Sequence, residues 1–237
     1  MTPTTFTLTH SGPVATLTLT TKKGSLPPAF WPEFLAALEQ LGTARALILR
    51  GQSNFSAGLD VAATLPAIQA SGDFWGMVRP MQEAMNALEQ LEIPTLAAIE
   101  SHCIGAGLEL AAACDLRLCS RDAQFSLPEV RLGLVADLGG LQQLPALIGR
   151  GRTAHLALTG QPVDAQVAAD WGLVTAVLET PAALYAHAEA LAQDLAGLNP
   201  HALSGTKAVL RAGLPLAEGL AQAGEYNAQA LRASRPE

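Results

Sequence analysis

Twice in this chain a short apolar segment runs into a turn of small residues and then out into a helix. Ala44–Arg50 (ARALILR) ends at Gly51 and leads to Phe55-Ser56-Ala57-Gly58-Leu59-Asp60, ahead of helical spacing over 61–69. Pro94 opens Thr95–Ile99, which leads through Cys103-Ile104-Gly105-Ala106-Gly107 into a helix over Gly105–Ala113. A strand that is apolar on both sides must be covered on both faces, and helices between successive strands supply that cover. The pattern of strands alternating with helices specifies an α/β core.

The remaining periodicities fit this frame. Phe6–Thr20 alternates around Ser11-Gly12-Pro13 as a hairpin. Helical spacing is expected over Pro28–Leu41, Phe74–Leu91, Leu138–Leu147, Arg152–Leu158 and Ala165–Trp171, with strands over Leu116–Cys119, near Phe125 and over Leu173–Val177. Beyond that the chain turns wholly helical. Pro181–Leu198, Pro200–Ala212 and Pro215–Leu231 each carry a proline at or near the first turn. The expected organisation is a core over residues 1–180 and a helical C-terminal region over 181–237.

Composition removes several function classes. Charged residues are 15% and hydrophobic residues 49%, the reverse of a disordered chain. A formal net charge of −7 argues against broad binding to nucleic acid or to an anionic membrane surface. The most apolar stretch, Leu96–Cys119, is broken by Glu100, His102, Glu109, Asp115 and Arg117, so no membrane span is expected. Met1–His10 has neither the basic start nor the apolar centre of a signal peptide. Cys103, Cys114 and Cys119 show no CxxC spacing and suit a reducing cytoplasm; the scattered histidines form no metal-ligand pattern. No metal site is expected.

Chemistry points to three segments. The turns Phe55–Asp60 and Cys103–Glu109 each leave backbone amides free at the start of a helix, and two such turns can offer two N–H donors to one developing oxyanion. Glu109 lies in the otherwise apolar LELAAAC, where one helical turn would bring its carboxylate beside the Ala106 amides. The third segment runs from Leu127-Pro128-Glu129 to Asp137-Leu138-Gly139-Gly140, and Asp137 has a plain reading as an N-cap. No GxSxG elbow, GxGxxG fingerprint or P-loop occurs. A serine or cysteine hydrolase would need a base near Ser56, Ser101 or Cys103, and only His102 is at hand, adjacent in the chain and expected to point elsewhere.

At these segments the sequence resembles the crotonase (enoyl-CoA hydratase/isomerase) superfamily. The resemblance runs from about Ala44 to Val177. It rests on Phe55-Ser56-Ala57-Gly58-Leu59-Asp60, Gly105-Ala106-Gly107-Leu108-Glu109, Leu127-Pro128-Glu129-Val130, Gly139-Gly140 and Leu158-Thr159-Gly160, in family order. It implies a spiral of ββα units with a C-terminal helical trimerisation region, a homotrimer or dimer of trimers, and an acyl-CoA thioester as substrate. The oxyanion donors would be the Leu59 and Ala106 amides. Glu109 and Glu129 match the family's two hydratase acids. Lys23, Ser25, Ala57, Asp60, Val61, Gly105 and Pro128 would lie along the substrate and its CoA. No cofactor is implied, since coenzyme A belongs to the substrate.

On this resemblance, hydration of a 2,3-enoyl-CoA is the leading expectation. Asp137 resembles the third acid of the Δ3,5-Δ2,4-dienoyl-CoA isomerases, which makes that reaction the alternative. A non-catalytic acyl-CoA binder is a second alternative, opposed by the two retained glutamates. The sequence departs from the family at Ala106, which stands for the middle of three glycines, and at Lys22-Lys23-Gly24-Ser25. It also ends at Arg235-Pro236-Glu237 without the family's basic, aromatic tail. Trp75, Met77 and Met81 are candidates for the acyl pocket, with helix core as the plainer reading.

Overall fold

The computed structural model describes residues 4–233; Arg235-Pro236-Glu237 lies outside them. A six-stranded sheet has the order β1 (Phe6–Ser11), β2 (Val14–Leu19), β3 (Ala46–Arg50), β4 (Thr95–Ile99), β6 (Leu116–Ser120), β9 (Ala176–Leu178). Only the β1–β2 hairpin is antiparallel in it; every later pairing is parallel. A second sheet contains β5 (His102–Ile104), β7 (Gln124–Ser126) and β8 (Val163–Asp164).

The two sheets are linked by a repeated move. β4 passes through Ser101 into β5, and β6 passes through a turn into β7, so each path leaves the large sheet for the small one. The segment after β3 does the same, because Ser56 bridges Cys103 alongside β5. That repetition is the spiral. The helices are α1 (Phe30–Glu39), α2 (Val61–Ser71), α3 (Phe74–Gln90), α4 (Ala106–Ala112), α5 (Gly140–Ile148), α6 (Arg150–Thr159) and α7 (Ala165–Asp170). The C-terminal region adds α8 (Pro181–Gly197), α9 (Pro200–Ala212) and α10 (Leu216–Ala233).

The sheet's two faces bury different partners. One core gathers Phe6, Phe30, Trp31, Phe34, Leu49 and Phe55 with the helices inside the spiral. The other packs Val14, Ile48, Leu96 and Leu118 against Leu184, Ala188, Ala192 and Ala196 of α8. Pro181 therefore opens a helix that forms one layer of the sheet's own core. α9 is tied down by Lys207, whose ammonium meets the Asp115 carboxylate at 2.6 Å and donates to the Ile93 carbonyl at 2.6 Å.

Two strand expectations shift. Leu173–Thr175 is not strand: the Gly172 and Leu173 amides close the end of α7 on the Ala169 and Ala168 carbonyls, and β9 begins only at Ala176. β5 is unforeseen, because three residues are too few for a period to register.

Candidate active site

The two small-residue turns are built by backbone pairing. Leu26 donates to the Gly58 carbonyl at 2.9 Å and accepts from the Asp60 amide at 3.0 Å. A parallel bridge of this form takes up the groups on either side of Leu59 and turns the Leu59 N–H the other way. The Ala106 N–H is the first of α4 and has no intrahelical acceptor. The two amides are neighbours: a Cβ placed on Gly58 would lie 3.6 Å from the Ala106 nitrogen and only 2.6 Å from the Ile104 carbonyl oxygen. Ser56 locks the turn, donating to the Gly24 carbonyl at 2.7 Å and accepting from the Gly58 amide at 3.1 Å.

Glu109 of α4 and Glu129 and Asp137 of the Leu127–Gly140 segment lie close enough for their charges to act on one another. Glu109 is 1% exposed. Its Oε1 accepts from the amides of Leu138 at 3.0 Å and Gly140 at 2.9 Å, at the entry to α5. That placement corrects the expected one beside the Ala106 amides, since the side chain runs to the neighbouring helix instead. Burial raises its pKa to about 7, the two amides oppose the rise, and the Glu129 and Asp137 charges add to it. Glu129 lies in a short 3-10 turn (Glu129–Leu132) with its Oε2 buried and unpartnered among the described residues. A Cβ on Gly105 would meet its Oε1 at 2.6 Å, so the carboxylate sits against the residue preceding Ala106. Burial raises the Glu129 pKa, and the Asp137 charge adds to that rise.

Asp137 does not cap a helix. The N-cap of α5 is Gly139, without a side-chain bond, and Glu109 serves the free amides instead. Partial burial raises the pKa of the Asp137 carboxyl as well. Its own backbone carbonyl accepts from Gln82 Nε2 of α3 at 2.8 Å, a contact no sequence motif signals.

The family model for enoyl-CoA hydratase/isomerase matches residues 9–233. The chain belongs to the enoyl-CoA hydratase/isomerase family. It is 38% identical over 191 residues to a peroxisomal Δ3,5-Δ2,4-dienoyl-CoA isomerase of Arabidopsis thaliana, covering 76% of this chain and 69% of that one. An enoyl-CoA hydratase from Bacillus anthracis superposes with TM-score 0.88 at 28% identity, over 96% of this chain and 91% of that chain. A Thermobifida fusca protein in complex with acetoacetyl-CoA superposes with TM-score 0.89 at 29% identity, over 98% and 100% of the two chains.

The other residues expected along an acyl-CoA fall in three groups around this site. Lys23, held at φ 58, accepts from the Ala57 amide through its carbonyl, so the Lys22–Ser25 turn rests on the Phe55–Asp60 turn. Gly105 and Pro128 flank Glu129. Asp60 caps α2 by accepting from the Ala63 amide at 3.1 Å, which gives it a structural task, and Val61 begins that helix. Met81 is 3% exposed and belongs to the core, whereas Trp75 is 56% exposed.

His102 departs from expectation. Its Nδ1 lies 3.0 Å from Ser101 Oγ and 2.6 Å from Asn54 Oδ1. The Asn54 oxygen also accepts from Ser101 Oγ at 3.0 Å, so Nδ1 is the donor of this cluster and is not placed to take a proton from the serine. Among the described residues no three His, Cys, Asp or Glu side chains are gathered as metal ligands, and no helix is long and apolar enough to cross a membrane.

The close approach at Gly58 yields a prediction. Alanine there puts its methyl against the Ile104 carbonyl at φ +87, so the Leu59 segment must lift away from β5. Gly58→Ala is expected to lower kcat/KM by about a hundredfold or more, the scale of losing one oxyanion donor. Steady-state kinetics on a turned-over acyl-CoA decide it, and a loss under threefold would remove these amides from the chemistry.

Proposed function

We propose that this protein is a Δ3,5-Δ2,4-dienoyl-CoA isomerase. The carrying observation is Asp137, a third carboxyl with a raised pKa beside Glu109 and Glu129 and with no capping duty to explain it. The Arabidopsis relative's activity supports the same reading. The reaction moves a proton from C2 to C6 of the acyl chain while the double bonds shift from 3,5 to 2,4. Glu129, set against Gly105 next to the Ala106 amide, takes the C2 proton as base. The Leu59 and Ala106 amides hold the charge on the thioester oxygen of the trienolate formed when the C2 proton leaves. Asp137 returns a proton at C6, and its raised pKa suits a donor. The chemistry calls for no cofactor beyond the CoA of the substrate.

Hydration of a 2,3-enoyl-CoA is the second reading, favoured by the glutamate at 109, which burial raises to a pKa of about 7. Two ultraviolet assays separate them. A rise in conjugated 2,4-dienoyl absorbance from a 3,5-dienoyl-CoA, lost at least a hundredfold in Asp137→Asn, is the expected result. Loss of enoyl absorbance with crotonyl-CoA, without dienoyl turnover, would install the hydratase instead.

The reading includes assembly as a homotrimer or dimer of trimers. Leu132, Val135 and Leu158, at 55%, 72% and 74% exposed, support it, because such apolar surface is costly to leave in water. Three free, buried cysteines support a reducing compartment such as the cytoplasm.

A further inference from the structure

The Asp137–Leu138 peptide unit is gripped at both of its polar ends by side chains from other elements. Its N–H, on Leu138, donates to Glu109 Oε1 of α4 at 3.0 Å. Its carbonyl, on Asp137, accepts from Gln82 Nε2 of α3 at 2.8 Å. The residues on either side of Asp137, Ala136 and Leu138, are buried in the core, and the chain around them is open. It is bounded by Gly133 at φ +73 and Gly139 at φ +107, and Leu134 and Val135 are exposed. A peptide plane held at one end can still rotate about the Cα–C bond of Asp137. Held at both, and with Ala136 and Leu138 buried on either side, it fixes the stretch of backbone from which the Asp137 carboxyl is presented.

We infer that Gln82 is a positioning residue that sets the Asp137 carboxyl for delivery of the distal proton. This rests on the isomerase reading and goes beyond it, because the two proton transfers then depend on different supports. Glu129 is carried by its own 3-10 turn and packs on Gly105, with no bond to Gln82. Removal of the C2 proton is therefore independent of Gln82, whereas protonation at C6 depends on it. Gln82 is half-buried on α3, whose Val78, Met81 and Met85 are anchored in the core, so the amide is presented from a fixed base.

The test follows both steps in deuterium oxide with a 3,5-dienoyl-CoA. Formation of the 2,4-dienoyl product is read by absorbance, and deuterium at C2 of recovered substrate by mass spectrometry. In Gln82→Leu, similar in size but without a donor, product formation is expected to fall by about tenfold to a hundredfold. Exchange at C2 should hold or rise relative to product. Gln82→Lys, which restores an N–H donor, should recover at least part of the product rate. A parallel fall of exchange and product, with no recovery in the lysine variant, would reduce Gln82 to general support of the fold and overturn the inference. An unchanged product rate in the leucine variant would overturn it directly. A wild-type protein that forms no 2,4-dienoyl product would sink the isomerase reading itself, and the inference with it.

Discussion

Glu129→Gln is expected to lower turnover by a factor of about a thousand or more while the protein stays folded. The amide keeps the shape of the carboxylate but cannot take a proton, and a positioned general base is worth roughly a hundredfold to ten-thousandfold. Stability should not suffer. Glu129 Oε2 is buried without a partner among the described residues, so the wild-type carboxylate gains nothing there that an uncharged amide would lose. The same loss is expected whether the proton comes from C2 of a dienoyl-CoA or belongs to a water added to an enoyl-CoA. Single-turnover rates and a thermal midpoint on the same preparation decide it. Activity within tenfold of wild type in a folded variant would take the base role away from Glu129.

The sheet was legible because its strands are extreme. ARALILR and TLAAI are apolar on both sides, and the helix after each turn follows from its own spacing. The two turns were legible for a local reason too: a glycine needed where backbone approaches backbone, as Gly58 meets the Ile104 carbonyl, leaves a mark in the sequence. What the sequence hides is contact between segments. Nothing in LELAAAC says that Glu109 reaches across to α5, and nothing near Asp137 says that its capping task has been taken by that glutamate. Gln82 is invisible for the same reason, lying fifty-five residues before the carbonyl it holds. Ser101 and His102 show the reverse error, where adjacency in the chain was read as divergence and a positive φ at Ser101 instead turns the two side chains together.

Glu109→Gln is expected to make the protein more stable above neutral pH and no more stable in acid. The carboxyl ordinarily titrates near 4.5 and here near 7, raised chiefly by burial. An acid whose folded pKa lies above its unfolded value contributes fully below the lower value, and that contribution drains away as pH climbs through the folded one. Between about pH 4.5 and 7 the unfolded chain gives up this proton more readily than the folded chain does, and above 7 the folded protein carries the charge at a loss. At 1.36 kcal/mol per pH unit the loss comes to roughly 3 kcal/mol. Glutamine cannot ionise, yet its carbonyl oxygen still accepts from Leu138 and Gly140. The midpoint at pH 8 should therefore rise by about 6 °C or more, with the gain gone by about pH 4.5. Scanning calorimetry of both proteins across that range is the check. An equal or lower midpoint for the variant at pH 8 would mean that the two amides already hold Glu109 as a comfortable carboxylate. A higher one would mean that the chain carries a destabilising acid at the mouth of α5, a cost that folding does not explain.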